Sequence, residues 1–264
     1  MNKVIRAEFG RTINAGLIIA IAGIIFSICF DSFNDLIAGL RNGQGYVGYF
    51  FSNAAFGGMC TKYMLPVFTA LPFSVSLCQE RNNKAVSYIV SREGKNRYIF
   101  AKFIVSAISG GFVAVCGTVL LFLMLAMRFP IAGDEFEGAV VSDYFHEWSA
   151  VYYPQLYILT LSILAFCRGV IWSSLALCVS LYTSDIMVVL LSPFLGSYVL
   201  VRIFQIIRVP DMIRPDRILI GQVVIKSSGV TLIIAIAISL TIVTLIGAFF
   251  VGKMREGLKS GTIY

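Results

Sequence analysis

The segment CQERNNKAVSYIVSREGKNRYIFAK, residues 78–102, is the most charged stretch of a 264-residue chain that is otherwise strongly apolar. It contains six of the 21 Lys and Arg residues and two of the 14 Asp and Glu residues. Long apolar runs lie on both sides of it. This arrangement predicts a polar connection between two membrane-spanning helices.

The composition of the whole chain supports a membrane protein. Hydrophobic residues make up 58% of the chain and charged residues 13%, and the mean hydropathy is +0.85. Soluble domains carry about 25% charged residues, so a chain this apolar requires the bilayer as its solvent. The net charge of +7 does not indicate nucleic acid, because Lys and Arg of membrane proteins accumulate in cytoplasmic loops. Six cysteines without a CxxC pair and a single histidine predict neither a disulfide framework nor a metal site.

Six apolar runs approach the length of about 20 residues that a helix needs to cross the hydrocarbon core. They lack an alternating pattern, so helices are predicted instead of barrel strands. The expected fold class is an all-α integral membrane protein with a single transmembrane domain over residues 1–264. Small residues at Ser109–Gly117 predict close helix packing in the third span. The six predicted spans lie near residues 12–30, 63–78, 99–127, 157–181, 186–207 and 229–251.

The charge distribution predicts that both termini lie in the cytoplasm. In this orientation the inner segments contain twelve cations and five acids, whereas the outer segments contain eight cations and nine acids. The positive-inside rule favours this arrangement, although counting alone leaves the opposite topology open. The connection after residue 207 is basic and carries two prolines, and its apolar second half predicts a short outer-leaflet or re-entrant helix.

The N-terminal residues 2–13 have the pattern of an amphipathic helix. Ile5, Phe9 and Ile13 share one face, and basic residues such as Arg6 and Arg11 project from the opposite side. Such a helix would lie flat in the inner membrane interface. The alternative is an ordinary basic flank of the first span.

A second amphipathic helix is predicted at residues 80–90. Its apolar face contains Val86 and Ile89, and its polar face contains Glu80 and Lys84, which form a favourable i, i+4 pair. Gly94 is expected to end the helix. The length and patterning favour a surface that is contacted from the cytoplasm; the alternative is a solvated basic turn.

Residues 71–106, LPFSVSLCQERNNKAVSYIVSREGKNRYIFAKFIVS, resemble the permeases of type-2 ATP-binding-cassette transporters. The resemblance consists of Pro72 with small residues before the segment, an acid and basic cluster at 80–84, an apolar patch at Ile89, and then Arg97 and Lys102. Ala85-Val86 stand where the family often has Gly-Thr. The six predicted spans, the interfacial helix and the irregular outer segment are similar to the family as well.

The resemblance implies a permease subunit of an ATP-driven exporter in the plasma membrane. Two permease copies, identical or homologous, would assemble with two cytosolic ATPases and with membrane lipids, and no nucleic acid is expected. ATP and Mg would bind the ATPase, and this chain would carry no cofactor and no catalytic site, since GKN at Gly94 and GKM at Gly252 do not fit a P-loop. The expected cargo is hydrophobic or amphipathic, such as a peptide antibiotic, a lipid or a drug-like molecule.

The resemblance also implies that helix 80–90 is a coupling helix seated on the ATPase, with the link Tyr182–Asp185 as a lesser contact. The residues expected to couple the permease to the ATPase are Glu80, Arg81, Lys84, Val86, Ile89, Arg92, Arg97 and Asp185.

Arg168 is the only charged residue near the middle of a predicted span. An Arg at this depth costs about 2.5–3.5 kcal/mol on insertion scales. Three interpretations stay open, namely a structural or water-facing role, contact with cargo along the path or at a gate, and a boundary of the fourth span that differs from the predicted one.

Two other classes of function are weighed against export. An ion-coupled secondary transporter or a channel usually has buried carboxylates or broken helices at mid-membrane, and the sequence shows only Arg168 and no inverted repeat. An intramembrane enzyme would need a motif such as HExxH or a Ser–His pair in the spans, and neither is found.

Overall fold

The computed structural model describes residues 2–42, 47, 50, 58–131 and 153–260. Every regular element among these residues is a helix, which confirms the all-α fold class. The acidic connection after residue 131 lies outside the described residues. The helices are α1 (Asn2–Thr12), α2 (Ala15–Asp31), α3 (Phe33–Asn42), α4 (Met59–Ala70), α5 (Ser76–Asn82), α6 (Val86–Glu93), α7 (Lys95–Ala126), α8 (Pro154–Val179), α9 (Ile186–Ile206), α10 (Pro215–Ile220) and α11 (Ser228–Ser260).

In the described part of the chain, four helices are long and apolar enough to cross a membrane: α7, α8, α9 and α11. Helices α1 and α2 meet at a bend of 57° and count as a fifth if they form one broken span. The chain is therefore a multi-pass membrane protein. The four long helices overlap the predicted spans near 99–127, 157–181, 186–207 and 229–251.

The predicted second span, near residues 63–78, is not a continuous helix. Helix α4 ends at Ala70, a turn follows, and α5 begins at Ser76. Pro72 is the physical reason, because it has no N–H donor and restricts the residue before it. The turn is closed by backbone hydrogen bonds, and the Ser74 hydroxyl donates to the Ser173 carbonyl of α8 at 3.0 Å.

The predicted helix 80–90 is also divided into two helices. The prediction of one continuous helix over this range was therefore wrong. Helix α5 ends at Asn82, and α6 begins at Val86. The Ala85 N–H donates to the Glu80 carbonyl at 2.8 Å and the Lys84 N–H donates to the Arg81 carbonyl at 3.0 Å. These two bonds form a Schellman cap, and Lys84 occupies its left-handed position with φ of 53°. Gly94 ends α6 as predicted, with φ of 86°.

Helices α7 and α8 approach each other closely through glycines. A Cβ atom on Gly169 would lie 2.4 Å from the Gly110 carbonyl oxygen, and one on Gly111 would meet the Phe166 ring at 2.6 Å. Gly117 lies against Ile24 of α2 in the same way. The small residues at Ser109–Gly117 therefore allow the close packing that the sequence predicted.

The contacts divide the described helices between two ends of the bundle. At one end, which we call the α6 end, Leu77, Val86, Leu181 and Met254 share one hydrophobic cluster, so α5, α6, the residues after α8 and the end of α11 lie together. At the opposite end the Asp31 carboxylate accepts hydrogen bonds from the backbone N–H groups of residues 60 and 61, at 2.9 and 2.6 Å.

The second end, which we call the α10 end, also contains the connection before α11. Its short helix α10 buries Ile218, Leu219 and Ile220 against α8 and α11. The sequence predicted a short helix in this half of the connection, and α10 is that helix. Arg214, which precedes it, is buried and bonds the Asp216 carboxylate at 2.8 Å.

Candidate functional site

A buried charge network at the α6 end is centred on Lys102 of α7. Its side chain has no exposed surface. The ammonium group donates to Glu8 at 3.0 Å, to Glu80 at 2.7 Å and to the Ser76 hydroxyl at 3.1 Å. Since an ammonium group has three N–H donors, all of them are used. The network thereby connects α1, α5 and α7.

Arg11 and Tyr98 complete this network. The Arg11 guanidinium bonds both carboxylates, Glu8 at 3.3 Å and Glu80 at a shorter distance. The Tyr98 hydroxyl donates to the second oxygen of Glu80. Two carboxylates therefore face two cations, and the network is formally neutral. Neutral pairing with saturated hydrogen bonds is what makes buried charges tolerable.

Glu80 is not available to a partner, which corrects the sequence prediction. The sequence predicted Glu80 on an exposed polar face, paired with Lys84. In the structure Glu80 is 7% exposed and is held by Lys102, Arg11 and Tyr98, whereas Lys84 is exposed. Glu80 therefore fixes α5 to α1 and α7 and does not form part of the exposed surface of residues 80–90.

The N-terminal helix is present as predicted, but its buried face differs from the predicted one. Within residues 5–12 of α1, Glu8 and Thr12 are the buried residues, whereas Ile13 is 78% exposed and lies beyond the helix end. Ile5 and Phe9 are half-buried. Helix α1 thus packs on α7 through a charged group as well as through apolar side chains.

Arg81 connects α5 to the end of α8. Its guanidinium donates to the carbonyl oxygens of Ser180 at 3.0 Å and Leu181 at 3.2 Å, and the Asn82 amide donates to the Ser184 carbonyl at 3.2 Å. A cation at a helix C-terminus satisfies free carbonyls and interacts favourably with the helix dipole. The two regions predicted to contact a partner, residues 80–90 and 182–185, are therefore joined to each other.

Helix α6 buries the apolar face that the sequence predicted. Val86 and Val90 are buried, and Ile89 is half-buried against the same hydrophobic cluster. The opposite face is open, and Tyr88 is 68% exposed. The helix thus has one face fixed to the bundle and one face free for contact.

We define the α6 surface as the exposed charged and aromatic side chains of residues 84–97 and of the link 182–185. It carries four cations and one acid, and two large tyrosines project from it, with Tyr182 66% exposed. Asp185 also caps α9 by accepting from the Met187 N–H at 2.8 Å. The residues of the α6 surface are Lys84, Tyr88, Arg92, Lys95, Arg97, Tyr182 and Asp185.

The expected coupling residues therefore divide into two groups. Lys84, Arg92, Arg97 and Asp185 are exposed and lie on the α6 surface. The others hold the surface in place, and these are Glu80 in the charge network, Arg81 at the end of α8, and Val86 and Ile89 in the packed face of α6.

Arg168 lies in a different part of the bundle. It is 8% exposed and lines a cavity of about 160 Å³ between α8, α9, α10 and α11. Among the residues that the structure describes, its guanidinium forms no hydrogen bond and no ion pair. Lys62 and Asp216 also line this cavity.

The described residues contain no group of three or more His, Cys, Asp or Glu side chains that could hold a metal ion, and the six cysteines are free. No family model, curated protein or solved structure matches the chain. The functional interpretation therefore depends on the geometry of the site together with the sequence resemblance.

Proposed function

We propose that the chain is the membrane subunit of an ATP-driven exporter of the type-2 ATP-binding-cassette kind. The observation that carries the proposal is the buried charge network beneath the α6 surface. It fixes α1, α5 and α7 to one another directly below a helix whose outer face is free. This is the construction needed by an element that receives a force from outside the membrane and passes it to the spans.

The transmission of that force follows from the contacts of α5 and α6. A push on α6 is passed to α7 through the packing of Val86 and Val90. It is passed to α7 a second time through the ion pair of Glu80 with Lys102, and to α8 through the bonds of Arg81. Because interiors are close-packed, such contacts transmit a displacement without absorbing it. The spans then move together instead of one at a time.

The proposed topology has six crossings. They are α2, the broken segment over residues 59–82, α7, α8, α9 and α11. The broken segment starts beside Asp31 at the α10 end and reaches Lys102 at the α6 end, so it returns the chain across the bilayer despite the turn at Pro72. Both termini and the α6 surface then lie in the cytoplasm, and α1 lies at the inner interface of the plasma membrane.

The proposed partners are those that the sequence resemblance implies. Two cytosolic ATPase subunits bind ATP and Mg, and each contacts the α6 surface of one permease. A second permease copy, identical or homologous, and membrane lipids complete the complex, which involves no nucleic acid. This chain is not itself an enzyme and needs no cofactor of its own. The cargo is hydrophobic or amphipathic, such as a peptide antibiotic, a lipid or a drug-like molecule.

The test uses variants of the α6 surface, since variants of Glu80 would disturb the fold. In cells, Tyr88→Ala and Arg92→Glu should reduce both co-purification with the ATPase and ATP-driven export, because they remove an exposed aromatic contact and reverse an exposed charge. Protein level and thermal stability should be unchanged. The matched control is Arg208→Glu, an exposed arginine beyond α9 at the α10 end.

Two results would contradict the proposal. One is normal export in cells without any ATPase partner, driven instead by an ion gradient, which would favour the secondary-transporter alternative. The other is an equal loss of ATPase binding in Arg208→Glu and Arg92→Glu, which would place the contact away from the α6 surface.

A further inference from the structure

Arg168 and the cavity that it lines are not used by the force transmission described above. The side chain is more than nine-tenths buried, and among the described residues nothing neutralises it. A charge in this position is normally paired with another group or with backbone carbonyls, and an intramembrane ionisable residue is by default a functional-site candidate. The surroundings of Arg168 therefore decide what it binds.

The charge around the cavity is positive. Lys62 and Arg168 both line it. Among the residues that the structure describes, Asp216 is the only acid lining the cavity, and Arg214 already holds its carboxylate through two hydrogen bonds at 2.8 and 3.2 Å. The cavity thus has an excess of positive charge and lacks a matching anion among the described residues.

Apart from Ser197, the remaining lining side chains are apolar. They include Ile171, Trp172, Leu175, Leu219 and Ile242. Leu200 at its edge is 37% exposed, so the cavity reaches the outer surface of the bundle. A ligand with an anionic head and an apolar chain matches both the charge and the lining.

A second polar group, the Thr61 hydroxyl, shares a small cavity with Arg168. A smaller cavity of about 20 Å³ is lined by Arg168 and Thr61, and within the described part of the chain the Thr61 hydroxyl is buried without a hydrogen-bond partner. A cavity needs about 10–15 Å³ to hold a water molecule. Arg168 therefore lines two cavities, and the smaller one contains a second polar group, Thr61, in a region that is otherwise apolar.

We propose that this cavity binds the carboxylate head of a single-chain amphiphile, with Arg168 as the counter-ion. A cavity of 150 Å³ binds benzene, so the cavity of about 160 Å³ has room for a carboxylate and a short stretch of chain. A glycerophosphate headgroup is larger. The assignment of this ligand as the cargo rests on the proposed export function, whereas its binding does not.

Trp172 provides a direct measure of binding, because it lines the cavity and the chain has only 2 tryptophans. Trp148→Phe leaves Trp172 as the sole tryptophan. In this background, purified full-length protein in a non-ionic detergent is titrated with 9,10-dibromostearate, whose bromine atoms quench nearby tryptophan. Saturable quenching is expected. The brominated alcohol with the same chain should bind about tenfold more weakly, because it cannot form the charge-assisted bond to Arg168.

Two variants assign the effect to the arginine. Arg168→Gln should abolish the difference between acid and alcohol, and it should fold because it removes a buried unpaired charge. Arg168→Lys should retain part of the difference. The matched control is Arg202→Gln on α9, where the arginine is exposed, and this variant should bind like the parent.

Equal quenching by acid and alcohol, or undiminished selectivity in Arg168→Gln, would overturn the proposal. Tighter quenching by a brominated phosphatidylglycerol than by the fatty acid would overturn the single-chain assignment. The measurement uses no ATPase. Loss of binding would therefore leave the proposed export function standing, and failure to find an ATPase partner would leave the anion site standing.

Discussion

Lys102 determines whether the α6 end holds together as one unit. It is fully buried, and its three partners come from α1 and α5, which are far from it in sequence. An ion pair in such a place adds little net stability compared with a well-packed apolar group, but removal of one partner is expensive because it leaves a buried charge uncompensated.

Lys102→Met should therefore destabilise the protein by about 3–5 kcal/mol. The substitution leaves the carboxylates of Glu8 and Glu80 facing each other, and among the described residues Arg11 is then the one cation that pairs with them. Thermal unfolding of the purified protein in a mild detergent measures the change in stability. Lys95→Met on the same helix is the control, because Lys95 is exposed and its loss should have little effect.

A second substitution separates charge from packing. Addition of Glu8→Gln to Lys102→Met removes one carboxylate and leaves Glu80 paired with Arg11, so part of the lost stability should return. If Lys102→Met were as stable as Lys95→Met, the network would not hold the α6 end together.

The residues of this network are all visible in the sequence, but the sequence pattern did not predict which of them pair. Glu80 and Lys102 both stand in the segment that resembles the transporter family, yet their partners Glu8 and Arg11 lie near the N-terminus. Amphipathic patterning describes one helix at a time, so it placed Glu80 on the polar face and Arg11 toward the lipid headgroups. The available signal was that Glu8 and Lys102 are charged residues among apolar neighbours, which indicates burial with a partner but does not identify it.

At the scale of elements, the sequence predicted where helices occur better than where they break. The apolar runs predicted the four long helices, because a bilayer-spanning helix needs only length and low charge. The break at Pro72 had a visible cause in the sequence, the proline itself. The break at Lys84 did not, because the Schellman cap there uses a lysine where glycine is usual.

Substitution of Lys84 distinguishes the broken from the continuous form of residues 80–90. In the left-handed position a non-glycine residue costs roughly 1–2 kcal/mol, so Lys84→Gly should be more stable than Lys84→Ala by about 1 kcal/mol. In a continuous helix the order reverses, because glycine is about 1 kcal/mol less favourable than alanine. Both variants remove the same charge, so the pair is its own control.

The sign of this difference is the result that matters. Thermal unfolding of the two variants in the same detergent gives it directly. Greater stability of the alanine variant would mean that residues 80–90 form one helix. In that case Glu80 would return to the exposed face, and the charge network would be lost.

At the scale of the whole molecule, the helices differ in how much of their apolar surface the chain itself covers. In the most apolar 18-residue window of each helix, the share that is buried inside the structure is 56% for α7 and for α8, but only 22% for α9 and 11% for α11. Helices α7 and α8 thus form the centre, and α9 and α11 present apolar faces outward. Those faces require lipid or another copy of the chain, which agrees with a membrane-embedded bundle.

The two ends of the bundle allow a test of the six-crossing topology. The test needs a variant without the six native cysteines, into which a single new cysteine is introduced. Ser91 is an exposed residue of α6, and Lys226 is an exposed residue of the connection before α11. The two variants are Ser91→Cys and Lys226→Cys. In intact cells, a membrane-impermeant maleimide should label Lys226→Cys at once, and should label Ser91→Cys only after the membrane is permeabilised.

The opposite labelling is the result with the largest consequence. A cysteine at position 91 that reacts in intact cells would put the α6 surface outside, where no cytosolic ATPase can reach it. Labelling of both positions from the same side would mean an even number of crossings between residues 91 and 226 instead of the three proposed, which are α7, α8 and α9. In the proposed topology the chain leaves the α6 end through α7, returns through α8 and leaves again through α9. These three crossings place residues 91 and 226 on opposite faces of the bilayer, and the labelling test checks this placement.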